Sequence, residues 1–120
     1  MGDKLKITKR SIKGYDFIDI SGNIMQDGAK EIVKFAKKTT SGKEKDLFLN
    51  FDGVNYVNSA ALPIVLQLVR DLSAKKVNIF LMNVNEKILS LIKIAGLHNY
   101  FKFVSDEAAL IDRIDKEDAS

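Results

Sequence analysis

The sequence predicts an α/β protein with a single-layer, mostly parallel sheet of four to five strands, an antiparallel N-terminal edge strand and about four helices. Three observations lead there. Short apolar runs such as "DLFLNF" and "VNIFLM" read as strands buried on both faces. They alternate with segments whose apolar residues recur at helical spacing, the pattern that builds parallel sheets through crossover helices. The first two runs are separated only by Lys13-Gly14, which marks a hairpin.

In order along the chain, "KLKITKRSI" alternates Leu5 and Ile7 with polar residues, as a half-exposed edge strand does. "YDFIDIS" is its hairpin partner. "QDGAKEIVKFAKKTT" carries Ala29, Ile32, Val33 and Ala36 on one helical face, with Asp27 as the expected N-cap. Asp46–Phe51 forms the next strand, and "DGVNYVN" reads as a loop after it. "SAALPIVLQLVRDLSAKK" is a helix for which Ser59 is the expected N-cap, because a serine oxygen can accept a first-turn N–H. Pro63 agrees: its ring would clash with a helical carbonyl four residues earlier, so the helix cannot extend back past Ser59.

Val77–Met82 is a second buried strand. Asn85 caps a helix bearing Ile88, Leu91, Ile92 and Ala95, and Gly96 ends it. "YFKFV" is a last short strand. Ser105, with Asp106 and Glu107 in the first turn, opens a C-terminal helix through Leu110, Ile111 and Ile114. The whole of 1–120 reads as one domain, with a fraying charged tail at about 115–120.

Composition narrows the function. The net charge of +3 comes without a Lys/Arg run interleaved with aromatics, so no nucleic-acid partner is expected. The absence of cysteine excludes disulfides, thiol chemistry and thiolate metal sites. No apolar stretch reaches the roughly 18 residues of a membrane span, and "MGDKLKITKRS" lacks the apolar centre of a signal peptide, so a cytoplasmic protein without membrane insertion is expected. Lys6 stands where myristoylation of Gly2 wants Ser or Thr.

Catalytic constellations are equally scarce. His98 is the only histidine, and "GLHNYF" has no nucleophile elbow near it. "TTSGKEK" fails as a phosphate-binding loop, since Lys37 replaces the first glycine and Glu44 the final Ser/Thr. Asp52, Asp71 and Asp106 fall on separate elements without metal-ligand spacing. No enzyme, cofactor or metal is expected.

Ser59 remains. As a cap alone it would be worth about 1 kcal/mol. A second reading uses the same position: beyond the carboxyl end of a strand, at the positive end of a helix, a phosphate would be tolerated by the fold and would add nearly two negative charges to a docking surface. On the helix that follows, Leu62, Val65, Leu66, Val69 and Leu72 form the sheet-facing stripe. Ala61, Ile64 and Leu68 widen it along one flank. That flank either packs on a neighbouring helix or forms a partner-docking strip beside Ser59, rimmed by Gln67, Arg70 and Asp71.

At these residues the chain resembles a STAS domain, the module of sulphate transporters and anti-sigma-factor antagonists. "LFLNFDGVNYVNSAALPIVLQLVRDL" is similar to that family's strand, loop, serine and apolar helix, with Ala60 and Leu62 also matching. "ILSLIKIAGLHNYFKFV" resembles its second recurrent stretch, and the similar order of elements runs from about Leu5 to Ile114. Asn58 stands where the family has aspartate, and Ala61 where it has glycine. The resemblance implies a stand-alone anti-sigma-factor antagonist that binds an ATP-dependent anti-sigma serine kinase when unphosphorylated. Phosphorylation of Ser59 would release it, a phosphatase would reset it, and Asn58, Ala60, Ala61, Ile64 and Leu68 would meet the partner. The alternatives it leaves are an unmodified subunit of a larger assembly, in lipid transport or stress signalling, and a nucleotide- or small-ligand-binding domain.

Overall fold

The computed structural model describes the backbone of residues 4–118 and the side chains of residues 4–112. Five strands form one sheet in the order β1 (Lys6–Ile12), β2 (Tyr15–Ile24), β3 (Leu47–Val57), β4 (Ile79–Met82) and β5 (Lys102–Val104). β1 runs antiparallel to β2, and the remaining pairs are parallel. The β1–β2 turn holds Lys13 and Gly14 both at positive φ, the two-residue geometry that matches strand twist.

Four helices cover the sheet unequally. α1 (Gln26–Thr40), α2 (Leu62–Ser73) and α3 (Glu86–Ile94) bury Ala29, Ile32, Leu62, Val65, Leu72, Ile88 and Ile92 against Ile18, Ile20, Leu47, Leu49 and Leu81 on one face. α4 (Glu107–Asp118) sets Leu110 against Phe17, Phe48 and Met82 on the other. On this second face Phe17, Phe48 and Phe80 stack across three strands, with centroids 5.1 and 5.2 Å apart. β3, the central strand, is therefore covered on both sides.

Several boundaries differ from the sequence reading. "DGVNYVN" is not a loop: β3 continues through it to Val57 and pairs with Ser21–Ile24 of a longer β2. Two register shifts in this stretch leave Phe51, Val54 and Val57 as its inward residues. That spacing of three hides the strand from a search for alternation.

Two caps also shift by one or two residues, and a third stands where it was expected. Met25, not Asp27, occupies the N-cap of α1 and makes no side-chain cap bond; Asp27 lies in the first turn. Asp106, not Ser105, caps α4, accepting the Ala109 N–H at 2.7 Å. Asn85 caps α3 through the Ile88 N–H at 2.9 Å, and Gly96, at φ +75°, follows its end. Ala95, read as a core residue, is exposed. α4 runs on through most of the charged tail to Asp118, while residues 119–120 and the N-terminal Met1-Gly2 lie outside the described residues.

Candidate functional site

β2 and β3 end side by side, and the main-chain N–H of Asn58 donates to the Ile24 carbonyl at 2.9 Å. From that anchor, residues Ser59–Ala61 make one 3-10 turn before α2 begins at Leu62. The cap is Asn58: its Oδ1 accepts the Ala60 N–H at 2.8 Å. The expected capping by Ser59 is thus corrected. A short turn ahead of Pro63 moves the start of the α-helix three residues on, and the preceding asparagine has the better reach.

The consequence for Ser59 is chemical. Its side chain is exposed, and among the described residues its hydroxyl makes no hydrogen bond. The oxygen sits at the carboxyl end of the sheet, at the amino end of a helix, with no structural duty.

The other expected contact residues divide. Ala60 is exposed, and Asn58 and Ile64 are half-buried. Ala61 and Leu68 are not surface residues at all: they are 0% and 1% exposed. α1 packs along that side of α2, and Lys37 of α1 pairs with Asp71 of α2 at 3.2 Å, which closes the flank. Burial takes both residues out of any contact surface. Gln67 donates to the same Asp71 at 2.9 Å.

Two accessible apolar residues went unnoticed in the sequence. Met25 (47% exposed) follows Ile24, and Tyr56 (50% exposed) lies two residues before Asn58. Both stand at the end of the sheet that carries Ser59. An apolar residue at a helix N-cap and an aromatic shortly before the serine were the available signals.

His98 lies in a turn before β5, its ring stacked on Phe103 with centroids 5.6 Å apart. "TTSGKEK" is the end of α1 followed by a turn with Gly42 at φ +74°. Among the described residues no cluster of three metal-ligating side chains occurs, and no helix is long and apolar enough to cross a membrane.

This architecture matches known proteins. The family model of the STAS domain matches residues 6–110. The chain belongs to the STAS family. No curated protein matches it by sequence. By fold, this STAS domain is similar to an anti-sigma factor antagonist from Mycobacterium paratuberculosis, with a TM-score of 0.78 and 15% identity, covering 94% of this chain and 96% of that one. The unphosphorylated form of the anti-sigma factor antagonist SpoIIAA gives 0.71 and 17%, covering 92% and 97%. The phosphorylated form of the same protein, from Bacillus, gives 0.63 and 17%, covering 92% and 99%. A variant of RsbS from Moorella thermoacetica gives 0.73 and 8%, covering 96% and 99%.

Proposed function

We propose that this STAS domain is an anti-sigma-factor antagonist working in the cytoplasm as a phosphorylation-switched binding module. In its unmodified form it binds an anti-sigma factor with serine-kinase activity. Phosphorylation of Ser59 releases it, and a phosphatase restores it. The kinase supplies the nucleotide and the chemistry; this chain supplies the acceptor and the docking surface.

One observation carries the reading: the Ser59 hydroxyl is exposed, unbonded and placed at the amino end of α2. A phosphate there breaks no hydrogen bond of the fold and sits near the positive pole of the helix. It still sets nearly two negative charges in the middle of a surface built from Met25, Tyr56, Asn58, Ala60 and Ile64. Each 1.4 kcal/mol of resulting repulsion weakens docking about tenfold. The similarity to an anti-sigma factor antagonist whose structure exists in both unphosphorylated and phosphorylated forms supports the same conclusion.

The test is pull-down of candidate anti-sigma kinases with Ser59→Ala and Ser59→Asp, together with intact mass after incubation with kinase and ATP. Constitutive capture by the alanine form, loss with the aspartate form and one added phosphate mapped to Ser59 are expected. Undiminished capture by Ser59→Asp rejects the switch.

A further inference from the structure

The sheet has two open edges, and they differ. At one, β1 is seven residues long, but its Lys9 and Arg10 are already paired with Asp16 and Asp19. At the other, β5 pairs with β4, and among the described residues the far side of its backbone has no strand partner. Two cations flank the start of this edge. The Arg70 guanidinium lies 5.6 Å over the exposed ring of Tyr100, and Lys102 donates to the Asn78 side chain at 3.0 Å. Among the described residues neither is paired with a carboxylate.

Cavities border the strand at both ends. One, of about 310 Å³, lies between Val69, Arg70, Ile79, Tyr100 and Lys102. The other, of about 290 Å³, is lined by Val84, Leu89, His98, Phe103 and Val104. An edge strand normally carries a device against unwanted pairing. Here the device is brevity: three residues offer about 10 Å of ladder, too little to hold a partner by backbone bonds alone. Side-chain contacts must supply the rest. Cations held by Tyr100, Asn78 and Phe80 but without a carboxylate partner among the described residues stand at one end, and an apolar hollow at the other; these set the chemistry of what fits.

We propose that the β5 edge is a second docking surface, which receives an extended acidic segment of a partner protein as a sixth strand. Its carboxylates meet Arg70 and Lys102, and an apolar side chain enters the hollow beside Phe103. Main-chain bonds give such a complex its alignment, while charge and the hollow give it selectivity. The surface does not include Ser59, so its occupancy is independent of the switch proposed above.

The probe is a fluorescein-labelled peptide of four Glu-Val repeats, with four Lys-Val repeats as control, read by anisotropy and by amide shifts in ¹⁵N spectra. Saturable binding of the acidic peptide alone is expected, weakening with salt and shifting the amides of Lys102–Val104. Arg70→Gln and Lys102→Gln should each weaken it about tenfold. Ser59→Asp, and Lys6→Gln on β1 at the opposite edge of the sheet, should leave it unchanged. Equal binding of both peptides, no saturable binding, or shifts that bypass Lys102–Val104 would overturn the proposal. So would self-association through this edge in sedimentation, which would assign it to a second copy of the chain.

Discussion

The side-chain oxygen of Asn58 holds the main-chain N–H of Ala60 at 2.8 Å, and this bond leaves the neighbouring Ser59 hydroxyl with nothing to support. The two residues share one turn and divide its work: one stabilises, the other is presented.

This division predicts opposite thermal responses. Asn58→Ala should cost about 1 kcal/mol through the lost cap, whereas Ser59→Ala should stay within about 0.5 kcal/mol of the parent. Asn58→Asp keeps the acceptor oxygen and adds a charge favoured at a helix start, so its stability should match or exceed the parent's. Urea unfolding of the three variants checks the order. Equal losses for Asn58→Ala and Ser59→Ala would show that the hydroxyl shares in capping.

Leu68 separates folding from binding. Truncation to alanine empties a fully enclosed site and should cost about 2–5 kcal/mol. Ile64→Ala, at a half-buried position, should cost about 1 kcal/mol. In partner titrations, Ile64→Ala should weaken binding of fully folded protein. Leu68→Ala should reduce only the folded fraction, with affinity per folded molecule unchanged. Denaturation curves run beside the titrations distinguish the two.

The acid limb of stability should depend on β1 and β2. Arg10 donates to both carboxylate oxygens of Asp19 and, through the same guanidinium, to Glu107 of α4 at 2.6 Å. The Arg10 hydrogen bonds hold the Asp19 carboxyl below its ordinary range, against burial that pushes it up, with Asn50 assisting. Burial pushes Asp16 up as well, yet Lys43 and Ser11 bonds outweigh it and leave Asp16 low. A depressed folded value means that the stabilisation is present above the unfolded carboxyl value, about pH 4, and is lost as pH falls through the folded one. Asp19→Asn should therefore cost about 1–2 kcal/mol at neutral pH. The gap between it and the parent should close on acidification. A gap independent of pH would assign the loss to packing.

Gly53 lies close against β2: a Cβ added there would lie 2.7 Å from Ser21 Cβ and 3.2 Å from its Cα. Gly53→Ala should destabilise by about 1–3 kcal/mol. Adding Ser21→Gly should recover part of that loss, as a double-mutant cycle measures.

The sheet, its four helices and their order were legible because strands buried on both faces and helices with one apolar stripe leave distinct periods, as in Leu47–Phe51 and in Leu62, Val65, Leu66 and Leu72. The second half of β3 was illegible because its register shifts replace alternation with a spacing of three. The exposed position of Ser59 at the start of a helix was legible, but its partition from Asn58 was not: both residue types cap helices, and the local turn decides which oxygen reaches an N–H. The fate of Leu68 was illegible for a different reason. An apolar flank looks the same in sequence whether α1 covers it or a visitor does.

The turn at Ser59 also sets how far the chain must deform for that hydroxyl to be drawn away from the fold. Its bonds, Ala60 N–H to Asn58 Oδ1, Ala61 N–H to Asn58 O and Leu62 N–H to Ser59 O, all close within five residues. Drawing the serine outward strains these bonds and the buried Ala61 beside them, while the Ile24 carbonyl moors one side and Pro63 bounds the other. The hydroxyl is thus held like a key on a short tether, fastened by three clasps and one buried methyl.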